Sequence, residues 1–378
     1  MDPDRRDEDR PAAVRHDALP DGNGPSILIR AEHLNLLFEA LRERGYTVVG
    51  PTVREEAIVY DELPSADSLP AGWTDEQAPG SYRLQRRDDE ALFGYAVGPH
   101  SWKRFLFPPV TPLFSASREG QAILTEDPEP APAKYAFIGV RACELAAIDI
   151  QDRVFMRPGT QDPVYGARRD GAFLVAVNCA EAGGTCFCVS MGTGPKASQG
   201  YDLALTELLS DEEHLFLVEI GTDRGAEVVG DLPRTPATGE HVEAADRIVE
   251  RTAADMGRAM DTDGIRDLLY RNLEHSRWDD VAARCLSCGN CTLACPTCFC
   301  STVEDGSDLA GDEAGRQRVW DSCFTLDHSY LHGGSVRVST RSRYRQWMTH
   351  KLATWIDQFG TSGCVGCGRC ITWCPVGI

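Results

Sequence analysis

Cys285, Cys288, Cys291 and Cys295, followed by Pro296, repeat their spacing at Cys364, Cys367, Cys370 and Cys374, followed by Pro375. Two copies of C-x2-C-x2-C-x3-C-P leave few options for this part of the chain. A cubane iron–sulfur cluster needs four thiolates converging on one small site. Three cysteines at three-residue intervals can wrap such a cluster with side chains and backbone amides. The fourth lies too far round the turn and points towards a second cluster, so that paired motifs exchange their last ligand. The spacing therefore predicts two [4Fe–4S] clusters and electron-carrying chemistry. One is expected on Cys285, Cys288, Cys291 and Cys374, the other on Cys364, Cys367, Cys370 and Cys295.

Zinc is the competing reading, because paired C-x2-C units can make a tetrahedral site. A third and fourth cysteine at fixed offsets, then a proline, all occurring twice, is far more specific to clusters. The chain holds 15 cysteines, an odd number, so full internal disulfide pairing is impossible. That many thiols in a reducing cytosol are more often metal ligands than disulfides. A net charge of −20 without clustered Lys and Arg argues against a nucleic-acid partner. No window approaches a membrane span, and Arg5-Arg6 is not followed by the apolar stretch of an export signal. A cytoplasmic protein with no membrane association is expected.

Residues 1–26 are polar, without periodicity, and are expected to be a disordered tail. Residues 27–240 read as an α/β domain. Leu34, Leu37, Phe38 and Leu41 fall at helical spacing. Strands are expected at Thr47–Val49, Ala57–Tyr60, Ala91–Val97, Lys134–Val140, Ala172–Val177 and Leu215–Ile220, a helix at Cys143–Phe155, and a loop over 61–80. Residues 241–378 read as a mainly α-helical, dicluster ferredoxin-like domain, with Val336–Val338 as its main strand signal. Tyr344, Trp347, Met348, Lys351, Leu352 and Trp355 form a helical stripe leading into the second motif. Ordinary core packing is the preferred role for its aromatic rings. Long helices between motifs are similar to the α-helical ferredoxins of fumarate reductase iron–sulfur subunits.

Seven cysteines lie outside the motifs. Cys143 and Cys179 each follow an expected strand, and Cys186 and Cys188 occupy a Gly-rich loop over 178–194. Strand ends of an α/β sheet meet along one edge, so these four are candidates for a third cluster. The plain alternative is four small buried residues. Cys298, Cys300 and Cys323 are further candidate metal ligands, with His328 or Asp321 as a conceivable fourth, although a surface His and a capping Asp are the ordinary roles. Thr185–Cys188 and Thr297–Cys300 carry the same Thr-Cys-Phe-Cys string. Gly192-Thr193-Gly194 lacks the further glycine of a phosphate loop and reads as flexible backbone near Cys188. Arg284 and Arg369 flank motif cysteines, as charges for a cluster or as solvated side chains. No nucleophile elbow, Walker lysine or H-E-x-x-H occurs, and no self-contained catalytic site is expected on this chain.

Residues 284–300, 321–324, 332–334, 343–351 and 363–370, with the upstream strings 101–108, 139–147, 178–195 and 201–206, together resemble the β subunit of cytoplasmic NAD(P)-linked [NiFe] hydrogenases of the sulfhydrogenase type. The corresponding subunit of anaerobic sulfite reductase looks similar over the same blocks. The resemblance implies an electron-transfer subunit, itself without a catalytic centre, in an oxidoreductase complex. Its implied partners are an FAD- and NAD(P)-binding subunit, a cluster-bearing small subunit, and a large subunit with the nickel–iron site. The equivalent subunit of a sulfite or sulfur reductase is the alternative, and a free-standing redox sensor or zinc-stabilised interaction protein is a third. The chain departs from the family pattern by stopping at Ile378, directly after the last motif, where a family member is expected to continue.

Overall fold

The strands expected upstream, Ala91–Val97 excepted, join three that were not expected, Ile27–Arg30, Leu203–Leu209 and Thr235–Pro236, in one eight-stranded mixed sheet in a computed structural model that describes residues 26–126 and 134–378. All but the last residue of the expected tail lies outside them. Across the sheet the order is Thr235–Pro236, Ile27–Arg30, His214–Ile220, Leu203–Leu209, Phe173–Val177, Tyr135–Val140, Thr47–Arg54, Ala57–Glu62. The four strands from Leu203–Leu209 to Thr47–Arg54 are mutually parallel and central, and the outer pairings are antiparallel. Phe173–Val177 is buried throughout, the near-continuous apolar run expected of a strand covered on both faces. Alternate residues feed two cores. Ala136, Ile138 and Val175 meet Leu37, Phe38 and Leu41 of the helix Leu34–Glu43. Phe137, Val140 and Leu174 meet Leu145 and Ile148 of the helix Ala142–Phe155, with Trp102 and Phe107.

Ala91–Val97, expected as a strand, has no ladder partner. It is a largely buried, bent segment with three amides bonded to side chains: Glu207 accepts from Leu92 (2.6 Å) and Phe93 (3.0 Å), and Asp75 from Ala96 (2.6 Å). The loop expected over 61–80 contains a strand, Trp73–Ala78, paired with Ser81–Arg86. Pro79-Gly80 turns between them, with Gly80 at φ +71°, the conformation glycine supplies at least cost.

The C-terminal third is less helical than expected. Ser301–Ser307 and Glu313–Trp320 form a hairpin that joins Val110–Glu119 and Ala122–Glu126 in a four-stranded antiparallel sheet. Val336–Val338 is not a strand. The remainder is helical, notably Ile265–Arg271, Arg277–Ala282 and a run from Thr340 to Phe359 that widens to a π-helix over His350–Thr354. The helix Gly239–Ala254 packs on the large sheet, its Ala245 against Leu28, Leu215 and Leu217. No helix of the described residues is long and apolar enough to cross a membrane.

Candidate metal centres

The two cysteine motifs share one backbone path. Ser287 (φ +53°) and Gly366 (φ +66°) are left-handed, as are Gly289 (φ +78°) and Gly368 (φ +75°) two residues on. The short helices Asn290–Leu293 and Arg369–Thr372 follow, carrying Cys291 and Cys370. This curl aims amides at sulfur. Ser287 N–H points to Cys285 Sγ at 3.4 Å, Gly366 N–H to Cys364 Sγ at 3.4 Å, and Ile378 N–H to Cys374 Sγ at 3.4 Å. Such donors stabilise a thiolate and tune a cluster bound to it.

The thiols gather in mixed sets. Burial pushes Cys291 up, and Cys285, Cys288, Cys295 and Cys374 push it further. Burial pushes Cys370 up, as do Cys364, Cys367, Cys295 and Cys291. Cys364 is raised to about 12 by burial, with Cys367 and Cys295 adding to it. Buried, mutually repelling thiols resist ionising by themselves, whereas a metal deprotonates its thiol ligands outright. That donor chemistry fits soft, cationic iron.

The upstream cysteines converge as well. Cys143 lies in the first turn of Ala142–Phe155 and Cys179 just beyond the strand Phe173–Val177. Burial raises Cys143, with Cys367, Cys188 and Cys179 adding to it. Cys188 rises to about 12 through burial, then through Cys179 and Cys367. Cys186 is raised by burial and by Cys179 and Cys188. The loop carrying them is docked on the second motif. Phe187 N–H donates to Gly366 O (2.8 Å), Cys186 Sγ lies 3.9 Å from Cys367 O, and Thr193 Oγ1 donates to Val365 O (2.7 Å). A Cβ on Gly366 would lie 2.6 Å from the Phe187 backbone, so only glycine permits this approach. Thr193 is engaged with protein carbonyls, in keeping with a loop that serves the cysteines.

Cys298 draws the Cys295 thiol down, and Cys323 and His328 draw the Cys300 thiol down. His328 Nδ1 is in turn 3.0 Å from Asp321 Oδ2. Cations surround these sulfurs, and sequence reasoning underrated them. Lys351 Nζ donates to Cys295 Sγ (3.3 Å), Thr297 Oγ1 (2.9 Å) and Gly363 O (3.2 Å). Burial pulls the Lys351 ammonium down, but Cys295, Cys298 and Cys364 outweigh it and hold it above its ordinary value. Lys103, whose ammonium lies 4.0 Å from the Trp320 ring centre, donates to the carbonyls of Cys298 (3.1 Å) and Leu293 (3.3 Å). A lysine within the apolar stripe 344–355 was the available signal for the first. Arg284 is exposed, whereas Arg369 is fully buried on Glu144 and Gly98 O. Tyr344, Trp347 and Trp355 are core packing, Tyr344 and Trp347 against Phe324 and Trp355 beside Phe299.

Comparison with known proteins agrees with this geometry. Residues 284–378 match the 4Fe-4S dicluster domain family. Over 355 residues the chain is 29% identical to sulfhydrogenase 2 subunit beta of Pyrococcus furiosus, covering 93% of this chain and 95% of that one. No solved structure matches significantly.

Proposed function

We propose that this chain, a relative of sulfhydrogenase β subunits over nearly its whole length, carries two [4Fe–4S] clusters and a third, and passes electrons between an FAD- and NAD(P)-binding partner and the cluster-bearing small subunit of a nickel–iron hydrogenase. A [4Fe–4S] cluster, when bound, accepts and returns one electron. Cys285, Cys288, Cys291 and Cys374 would hold the first, and Cys364, Cys367, Cys370 and Cys295 the second. Cys143, Cys179, Cys186 and Cys188 would hold the third. The observation that carries the crossed reading is the Lys351 ammonium, which bonds both Cys295 Sγ (3.3 Å) and the carbonyl of Gly363 (3.2 Å), the residue before Cys364, while Asn290 of the first motif bonds the carbonyl of Trp373 (3.4 Å), the residue before Cys374.

The chain's own residues supply the setting. Backbone amides and Lys351 direct positive charge at sulfur, which favours the reduced, more negative state. The docking of Phe187 on Gly366 supports electronic contact between the upstream site and the second motif. Burial of Cys295 and Cys367 (9% and 8% exposed) keeps water from the second site.

Iron and acid-labile sulfide analysis tests the inventory. About twelve irons per chain are expected, and replacing Cys186 and Cys188 together with Ser should remove about four. Unchanged iron would eliminate the upstream site. Cys295→Ser should damage the second-motif cluster, and loss confined to the first-motif cluster would refute the crossed ligand sets. Co-purification with a nickel-containing large subunit checks the complex.

A further inference from the structure

Arg141 is a cation that the fold encloses, at 1% exposure, with neutral partners. Its Nη2 donates to the carbonyls of Phe93 (3.0 Å) and Tyr95 (2.9 Å). Its Nη1 is buried and has no protein partner among the described residues. Glu144, three positions on, accepts the Arg141 backbone N–H (3.1 Å) but forms its ion pair with the Arg369 guanidinium. Carbonyl dipoles offset only part of the cost of taking a full charge out of water, so an enclosed cation of this kind calls for an anion.

The sheet sets where this cation sits. Val140, the last residue of Tyr135–Val140, lies beside Ala176 of the parallel strand Phe173–Val177. Arg141 follows the first strand and Asn178-Cys179 the second, so Arg141 and Cys179 leave the sheet at the same edge. Arg141 is also the N-cap of the helix Ala142–Phe155, whose second residue is Cys143. Gly194 brings in a third cysteine. A Cβ there would lie 3.2 Å from Cys188 Sγ and 3.7 Å from the backbone nitrogen of Cys143. The next residue, Pro195, accepts from Cys179 N–H at 3.3 Å. Cys143, Cys179 and Cys188 thus surround one short stretch of backbone at the strand ends, on the edge that carries Arg141.

We propose that Arg141 is the counter-ion of the upstream cluster, that its free Nη1–H donates to a sulfur there, and that its charge makes this cluster easier to reduce. The inference rests on the third cluster proposed for Cys143, Cys179, Cys186 and Cys188. A cluster held by four thiolates is anionic, and each electron it accepts adds a negative charge. A cation fixed beside it, away from water, therefore favours the reduced state. A guanidinium suits the place. Its rigid fork holds the carbonyls of Phe93 and Tyr95 with one nitrogen and leaves another for sulfur, and it keeps its proton at any working pH. Arg369 differs, because Glu144 already offsets its charge.

The test compares the wild type with Arg141→Gln and Arg141→Lys, each purified anaerobically with its clusters and any co-purifying subunits. Iron analysis is combined with redox titration followed by paramagnetic resonance. The upstream signal is the one missing when Cys186 and Cys188 are both replaced with Ser. Arg141→Gln should keep about twelve irons and make reduction of the upstream cluster about tenfold less favourable, a fall of about 59 mV for one electron, with the other two clusters unmoved. Arg141→Lys, which keeps the charge, should recover most of that fall. A fully loaded Arg141→Gln protein with the wild-type upstream potential overturns the proposal and leaves the cluster in place. An equal fall in Arg141→Lys also overturns it, leaving Arg141 only the task of holding the carbonyls of Phe93 and Tyr95. If Arg141→Gln sheds about four irons, their retention by Arg141→Lys sustains the counter-ion role, and their loss from both variants refutes it. About eight irons in the wild type removes the third cluster itself, and the proposal with it.

Discussion

Lys351 puts an ammonium against the sulfur of Cys295 at 3.3 Å, in a fully enclosed position. A charge-assisted hydrogen bond of this type contributes about 1.5–3 kcal/mol. Its loss should disfavour electron uptake, so Lys351→Met is expected to lower the midpoint potential of the second-motif cluster by on the order of 50–100 mV. A redox titration followed by paramagnetic resonance measures this, and an unchanged potential would remove Lys351 from the tuning role. The pair Cys300–His328 has a pH signature of its own. His328 is raised to about 9, chiefly by its bond to Cys300, and Cys300 is drawn down to about 4. The His328 contribution is complete below its unfolded value of 6.5 and fades as pH rises through about 9. The Cys300 contribution grows over that window towards its unfolded value of 9.0, and it is lost as pH falls through about 4. Between 6.5 and 9 each state holds one proton on the pair, so the two trends cancel. The net stabilisation should be level there and disappear on acidification from about 6.5 to 4, and His328→Gln should flatten that acid limb in thermal unfolding. The motif cysteines were legible as residues because their spacing is itself the signal. The roles of Lys351 and Arg369 were not, since burial of a charge depends on partners distant in sequence, here Cys295 and Glu144.

At the level of elements, the hairpin Trp73–Ala78/Ser81–Arg86 acts as a clamp. Gln77 Oε1 accepts from Thr185 Oγ1 (3.1 Å) and Thr372 Oγ1 (3.0 Å), tying the upstream cysteine loop to the helix of the second motif. Gly80 N–H donates to Ile371 O (3.1 Å), and Tyr82 packs on Trp373 at 5.0 Å. Gln77→Ala removes the shared acceptor from two buried hydroxyls, at a cost of roughly 2–4 kcal/mol. Hydrogen exchange should then rise together in 185–188 and 366–372, and opening of one segment alone would contradict the clamp. This hairpin was not read from the sequence because Asp75, Glu76 and Ala78 carry little strand propensity. The strand Ser301–Ser307 escaped for another reason: all but its first residue is exposed, so no apolar alternation marks it. The strands of the large sheet were legible because burial on one or both faces imposes a hydrophobic pattern. Ala91–Val97 has that pattern too, but its amides are satisfied by Glu207 and Asp75, a solution that period-two reasoning does not distinguish from a strand.

Across the whole molecule, one buried ion pair joins the sheet to the metal-binding end. Glu144, one residue after Cys143, accepts from Tyr60 Oη (2.9 Å), Trp102 Nε1 (3.1 Å), Arg141 N–H (3.1 Å) and the Arg369 guanidinium. Both side chains are almost wholly enclosed. Breaking one partner of such a pair leaves a buried charge and costs about 3–5 kcal/mol. Glu144→Gln should therefore lower the unfolding temperature and release iron from the second motif during the same transition, as absorbance and circular dichroism recorded together would show. Iron loss well before unfolding would mean that the pair does not couple the two parts. The α/β character of the upstream sheet was legible at this scale, but the second sheet and the packing of the cysteine-rich end onto the first were not, the latter because its contacts join residues more than 200 positions apart. Cys288 is exposed, whereas Cys295 and Cys367 are enclosed. This difference sets an order of vulnerability. Ferricyanide or an iron chelator arriving from solvent meets the first motif before the second, so bleaching in air should proceed in stages, with the iron beside Cys288 going first and the deeper sites outlasting it.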